Sequence, residues 1–360
     1  MKQEINVIEI DGRDARYQSG IARYLDILAD NMPKHVKTLR VIFYFSPEFK
    51  DIRISDAPGE VQVHHPAGFP SHTLFQVVLQ FIGARLGDMR NLIIKSNCLG
   101  YDAFVYFLKS HFYCKTIGVL HCLPRAPMNA PAFPAVNPFF NMDHVVLVCD
   151  RGKEFLNGVR NKQPFSVICN GIEKPKLPDR KTDDGTFRFI FANGFAKHKG
   201  FEKIIPAIEK VARKHKIEII AIGGGEIPAA AGLPITNYGL IDDHGNICEL
   251  YAQADAALFA SESEACSFAG IEAMAFGLPI ISTDAAGLAE MFGKSALFVN
   301  MNEKFEINAD DYAAQMIRLI ESKRLRVKLG IMAYARYLER YTAKKMTVKT
   351  LDLYKKILGF

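Results

Sequence analysis

The sequence predicts an α/β protein built of two doubly wound domains, and three observations point there. Short apolar runs alternate with amphipathic segments of helical spacing almost throughout, the habit of parallel sheets covered by helices on both faces. At 360 residues the chain exceeds one ordinary core and suits two domains of usual size. A polar stretch carrying two prolines, Glu173 to Thr186, divides it near the middle.

In order, the first half offers strands at 4–10, 38–46, 91–95, 115–120, 144–149 and 165–169. The opening run has acidic residues inside its apolar stretch and no cleavage-site pattern, so it reads as a first strand and not as a signal peptide. Helical periodicity appears around Ile21, Tyr24, Leu25 and Leu28, around Leu74, Val78 and Ile82, and from Asp102 to Leu108. A Pro-rich stretch from Leu123 to Pro138 reads as a long surface loop. The second half repeats the pattern, with strands near 187–192, 217–222, 235–238, 255–260, 279–282 and 296–299. The expected boundaries are therefore 1–172 for an N-terminal domain, 187–340 for a C-terminal domain and 341–360 for a final helix. Two such domains would face each other across a cleft at the carboxyl ends of both sheets, where ligands of doubly wound folds bind.

Composition narrows the function. Hydrophobic residues at 49% and charged residues at 23% describe a globular chain, and no run approaches the roughly 18 apolar residues of a membrane-spanning helix. A cytoplasmic protein is expected. Seven cysteines without a Cys-x2-Cys spacing argue against a disulfide framework or a structural zinc site. The net charge of +6 comes with no dense Lys/Arg stripe interleaved with aromatics, so nucleic acid is not an expected partner. The basic excess falls mainly in the N-terminal half. It reads equally as solubility charge or as an attraction to an anionic membrane surface or a phosphorylated substrate.

The segment 261–283 is the most informative. It holds Glu264 and Glu272 around a short loop that turns into a helix, between two apolar segments. Glu272 sits among Ile271, Ala273, Met274, Ala275 and Phe276, a run that otherwise reads as buried core. A carboxylate there is costly unless something hydrogen-bonds to it. The paired hydroxyls of a nucleotide ribose would serve, because an ionised carboxylate only accepts and a vicinal diol offers two donors. Glu264 would then face a sugar; taken alone, it reads as a solvated charge near a helix start.

With the Glu-Ala-Met-Ala-x-Gly-x-Pro that begins at Glu272, this segment resembles the Glu-x7-Glu signature of retaining GT-B glycosyltransferases, most closely glycosyltransferase family 4. Where the family carries Gly-Phe-Gly-Leu, this chain has Ala265-Cys266-Ser267-Phe268. The resemblance implies two Rossmann-like domains, an N-terminal one for the acceptor and a C-terminal one for the nucleotide sugar. It also implies a C-terminal helix that crosses back to pack on the first domain. By the same resemblance Glu272 binds ribose, and Glu264 with the amides of Cys266, Ser267 and Phe268 holds sugar hydroxyls.

Retaining transfer must stabilise a departing diphosphate and an oxocarbenium-like sugar, which fixed cations, amide dipoles and carboxylates can do without a metal. Lys199, in a strand–loop–helix segment from Phe191 to Gly200, is the best phosphate ligand. The stretch looks like the family's Gly-Arg-x4-Lys-Gly motif, but Gly194 stands at the Arg position and leaves Lys197 or a residue from elsewhere to replace the charge. Gly20, after the first strand, allows close backbone approach to a phosphate or the acceptor. Gly223-Gly224-Gly225-Glu226 resembles the family's turn near the base, and Asn170-Gly171-Ile172 its domain-junction turn. His121, at the end of a strand, is expected by resemblance to reach the donor sugar. Asp242-Asp243 lies in a turn-like segment, not in an Asp-x-Asp metal site at a strand end.

The expected activity is thus metal-independent, retaining transfer from a UDP-sugar, or alternatively a GDP-sugar, to a glycan or lipid-linked acceptor, with no further cofactor. Its setting would be surface polysaccharide or glycolipid assembly at the inner face of the membrane. Residues 47–90 and the loop 123–140 match no motif and would hold acceptor specificity. Two rivals stand beside this reading: a non-catalytic GT-B subunit that binds carbohydrate or a partner enzyme, and a nucleotide-sugar epimerase on the same fold.

Overall fold

The structure, a computed structural model, describes residues 4–14, 20–46, 53–57, 59–66, 72–85, 90–97, 102–123, 142–157, 164–176, 178, 184–227, 232–241 and 243–360. The Pro-rich loop lies outside the described residues beyond Leu123, as do Tyr17 to Ser19 before Gly20 and Asp242. The chain divides into two compact units: 1–121, 126–169 and 343–360 form one, and 122–125 with 170–342 the other.

The first unit contains β1 (Ile5–Asp14), α1 (Gly20–Asn31), β2 (Val36–Ser46), β3 (Arg53–Ala57), β4 (Glu60–Pro66), α2 (His72–Arg85), β5 (Leu92–Ser96), α3 (Asp102–His111), β6 (Cys114–Leu120), β7 (His144–Leu147), α4 (Gly152–Asn157) and β8 (Phe165–Val167). Among the described residues the sheet order is β3-β4-β2-β1-β5-β6-β7-β8. All pairings are parallel except β3 with β4. The interior strands are mainly apolar, as expected of parallel strands covered on both faces, with Glu9 in β1 and Lys95 in β5 as buried charged exceptions. Ile8, Val41, Val63, Ile94 and Val145 form the sheet's share of the core, with Leu74, Val78, Phe104 and Leu108 from the helices. The β3–β4 pair lies in a segment without a strand expectation. Its alternation Val61/Val63 in, Gln62/His64 half-exposed is legible only once β2 is beside it.

One polar lock ties β6 to the start of β7. The Asp143 carboxylate accepts from the Thr116 amide and hydroxyl, both at 2.8 Å, and pairs with Lys109 at 3.2 Å. Partial burial works against ionisation, but the Thr116 donors and then Lys109 outweigh it and hold the carboxyl below the usual aspartate range. A carboxyl depressed by folding contributes stability above its unfolded pKa and loses it as pH falls through the folded value. Asp143→Asn is therefore expected to flatten the acid limb of unfolding. In denaturant titrations from about pH 6 downward, the wild type should lose more stability than the variant; parallel curves would contradict the lock.

The second unit contains β9 (Phe187–Phe191), α5 (Phe201–Ala212), β10 (Ile217–Ala221), β11 (Ile235–Asn237), α6 (His244–Gln253), β12 (Ala256–Phe259), α7 (Phe268–Ala275), β13 (Ile280–Thr283), α8 (Ala286–Phe292), β14 (Ala296–Val299), α9 (Ala309–Glu321) and α10 (Lys323–Arg340). Its described strands run β11-β10-β9-β12-β13-β14, all parallel. The order reverses between β9 and β12, so loops leaving the carboxyl ends of these two strands diverge and open a crevice. The last helix, α11 (Ala343–Leu358), belongs to the first unit. It packs on α1 and buries Met346, Thr350, Leu353 and Tyr354 on one face.

Candidate active site

In the second unit the expected residues gather beyond β9 and β12, at the reversal of strand order. After β9 the chain runs through Asn193 and Gly194 into a 3-10 turn at Lys197–Lys199, and Gly200 then opens α5. Gly194 has φ 73°, in the left-handed region that favours glycine. The turn after β10 presses against it: a Cβ on Gly223 would lie 2.4 Å from Gly194 Cα. The Phe195 amide donates to Gly224 O at 2.9 Å, so the two loops form one backbone-held edge. An L residue at Gly194 would strain that edge, which gives a physical reason for the departure from Arg there. Lys197 is exposed.

After β12, Ser261 and Glu264 precede α7, whose N-cap is Ser267; the serine hydroxyl accepts from Gly270 N at 3.3 Å. One carboxylate oxygen of Glu264, Oε1, takes three donors: Lys199 Nζ in a short ion pair, Asn193 Nδ2 at 3.0 Å and Ser261 Oγ at 3.2 Å. The Glu264 side chain is only 12% exposed. Asn193 also reaches the hydroxyls of Ser261, at 2.8 Å, and Ser267, at 3.3 Å, and so joins the β9 loop to the α7 cap. Lys199, expected as a phosphate ligand, thus spends one of its donors on Glu264. An ammonium carries three, and the rest remain for an incoming anion. Cys266 is buried, and its carbonyl accepts from Asn170 Nδ2 at 2.8 Å. Asn170 was expected to do no more than turn the chain, yet its side chain anchors the signature loop. Phe268 opens α7.

Glu272 faces inward from α7 at 5% exposure. A carboxylate so placed needs a donor, and His244 supplies one: Nε2 lies 3.1 Å from Glu272 Oε1, with Cys248 Sγ 3.6 Å from Nδ1 on the other side of the ring. His244 begins α6 because Asp243 caps it, accepting from Gly245 N at 2.6 Å. Asp243, His244 and Gly245 are therefore a helix start, and not the free turn their composition suggests. Asp243 before a helical run is a capping signal readable in sequence; that the following His meets a residue 28 positions later is not.

Two expected residues lie in the first unit. Gly20 is the exposed first residue of α1. His121 follows β6, its Nε2 3.4 Å from Asn97 Oδ1 and its ring edge-on to Tyr24 at 4.7 Å between centroids. Burial, and then the nearby Lys95 charge, push the His121 pKa down to about 3. The imidazole is neutral at physiological pH. Asn97 and Tyr24 had no expected role.

Residues 174–336 match the family described as glycosyl transferases group 1. Among curated proteins the chain is similar to N-acetyl-alpha-D-glucosaminyl L-malate synthase of Bacillus anthracis, 24% identical over 47% of this chain and 45% of that one. It is also similar to the MMP alpha-(1->4)-mannosyltransferase of Mycolicibacterium hassiacum, 28% identical over 34% of this chain and 29% of that one. These matches span half or less of the relatives' length. Among solved structures, sucrose-phosphate synthase from Thermosynechococcus elongatus superposes with a TM-score of 0.74 at 18% identity, over 99% of this chain and 100% of that one. Anabaena HepE in complex with UDP-glucose gives a TM-score of 0.74 at 13% identity, over 98% and 100%. At such identities the likeness establishes the fold.

Proposed function

We propose that this chain, which has the GT-B fold and matches the glycosyl transferases group 1 family over residues 174–336, transfers a sugar from a nucleotide-sugar donor to a carbohydrate or lipid-linked acceptor, with retention and without a metal. The observation that carries the reading is Glu264. Its Oε1 is saturated by three donors while Oε2 has no partner among the described residues. A carboxylate fixed by one oxygen and open at the other is built to accept from a hydroxyl without turning. Glu272, buried and already hydrogen-bonded to a partly exposed imidazole, supplies the acceptor for a ribose diol that would replace or join His244.

The chemistry follows from these parts. The acceptor hydroxyl oxygen bonds to the anomeric carbon as the bond from that carbon to the diphosphate oxygen breaks. The hydroxyl proton passes to the departing phosphate oxygen, so attack and departure share one face. Lys199 and the amides of the β9 loop stabilise the negative charge that develops on the diphosphate. Glu264, gripping ring hydroxyls and neutralised in part by Lys199, stabilises the positive sugar and is poorly placed to attack it. A UDP-sugar is the favoured donor and a GDP-sugar the alternative; UDP-glucose is the ligand named for the Anabaena relative. Acceptor choice is assigned to the first unit.

The test is a nucleotide-sugar panel with thermal-shift readout, followed by nucleotide release. One nucleoside diphosphate should raise the melting temperature at saturation. Glu272→Ala should weaken that nucleotide by roughly 10–100-fold, the loss of a hydrogen-bonded charged acceptor, and Lys199→Ala should slow release. Gly194 in place of Arg favours one other reading, a binding subunit without turnover. Nucleotide binding without release across a broad donor and acceptor panel would establish that reading and overturn the enzyme. Product from donor alone would mark an epimerase.

A further inference from the structure

The first unit buries a charged network that the proposed reaction does not use directly. Glu9 interrupts β1 and Lys95 interrupts β5; both are nearly inaccessible, at 3% and 1%. Lys95 Nζ lies 2.9 Å from Glu9 Oε1, and the Tyr354 hydroxyl of α11 donates to the same oxygen at 3.4 Å. Lys95 also sits over the Tyr24 ring, 4.7 Å from its centroid. Burial disfavours the ammonium, but Glu9 and the two tyrosines hold its pKa above the ordinary lysine range. A buried ion pair is weak evidence for stability in itself, because desolvation offsets the attraction. What this pair holds is more telling.

Asn97, 1% exposed, follows β5, and its Nδ2 donates to Glu9 Oε2 at 2.8 Å and to the Ile10 carbonyl at 3.3 Å. Both partners only accept. The amide orientation is therefore dictated by chemistry: nitrogen toward Glu9, oxygen toward His121. An amide oxygen cannot donate, so the His121 nitrogen facing it, Nε2, must carry the hydrogen. A neutral ring with hydrogen on Nε2 has a bare lone pair on Nδ1, and no described residue donates to that nitrogen. Tyr24, edge-on to the imidazole, restrains the ring from a second side.

We infer that Asn97, anchored by the Glu9–Lys95 pair, is a positioning residue that fixes His121 as its Nε2–H tautomer, so that Nδ1 accepts a hydrogen bond from a hydroxyl of a carbohydrate held by the first unit. The second half of the inference rests on the proposed sugar-transfer reading; the tautomer does not. Glu9, Lys95 and Tyr354 act through Asn97, and none of them touches substrate.

The test is long-range proton–nitrogen correlation on the full chain with ¹⁵N-labelled histidine, with His121→Asn used to assign the signal. The wild type is expected to show a protonated Nε2 and an unprotonated Nδ1. Asn97→Ala is expected to release the ring from a single tautomer, so that an Nδ1–H population absent from the wild type appears beside Nε2–H, and, with a donor and acceptor that turn over, to lower kcat by roughly 10–100-fold with KM for the donor nearly unchanged. A wild-type spectrum with hydrogen on Nδ1 overturns the inference, and that measurement stands even if Asn97→Ala fails to fold. An unchanged tautomer in a folded Asn97→Ala also overturns it. A shifted tautomer with unchanged kcat upholds Asn97 as the positioning residue and removes the carbohydrate from Nδ1.

Discussion

Glu264→Gln should reduce turnover by roughly 10²–10³-fold and leave nucleoside diphosphate affinity within about threefold of wild type. The isosteric amide keeps a carbonyl oxygen where Oε1 stands, so Asn193 and Ser261 retain their acceptor at 3.0 and 3.2 Å. Two things change. An NH2 group replaces the open Oε2, so a sugar hydroxyl that donated there meets a donor. The negative charge beside Lys199 also disappears, which leaves the ammonium uncompensated and removes stabilisation from a developing oxocarbenium ion. Both effects act on the transition state more than on the ground state, so the loss falls on kcat. Calorimetric binding of the nucleoside diphosphate, set beside steady-state rates, separates the two. A glutamine variant with wild-type kcat would show that Glu264 only braces the loop.

Gly287→Ala should be the most damaging single-methyl change in the second unit. A Cβ at Gly287, in the first turn of α8, would fall 1.8 Å from the Glu264 carbonyl oxygen and 2.8 Å from that of Ala265. No rotamer relieves this, because the obstacle is backbone on both sides. Either α8 or the Glu264 loop must move. Overpacking of this kind costs roughly 3 kcal/mol, which for a unit of this size lowers the melting temperature by roughly 6–12 °C. The shift also carries Glu264 away from Asn193 and Lys199, so activity should fall at temperatures where the variant is still folded. Gly224→Ala is the control, since nothing lies within 4 Å of its added carbon. Equal melting temperatures for the two variants would mean that the approach at Gly287 relaxes at no cost.

Much of this molecule was open to inspection of its residues. The strands of both sheets follow continuous apolar runs, and burial on both faces leaves such runs few other places to go. The β3–β4 pair escaped because it sits at a sheet edge, where half-exposed residues blur the pattern. In the site, Glu272 announced itself as a carboxylate in a core-like run, and the Lys199 and Glu264 segments could each be found from local order. Their partners could not. Asn193 and Ser261 are ordinary loop residues until β9 and β12 lie side by side and bring them 2.8 Å apart across 68 residues of sequence.

Glu9 and Lys95 teach the same lesson from the other side. Each is conspicuous as a charge inside an apolar strand, and the opening acidic residues served only to mark a first strand. Nothing local says that the two charges meet, or that Asn97 sits between them and His121.

What the residues alone determined is which segments become strands and helices and which side chains are too polar for where they must go, because period, propensity and desolvation act over a few neighbours. Only the tertiary structure decided who satisfies those side chains: Lys199 and Asn193 for Glu264, His244 for Glu272, Lys95 and Asn97 for Glu9. A hydrogen bond requires approach to about 3 Å, and parallel sheets create that approach between loops that the chain itself keeps tens of residues apart.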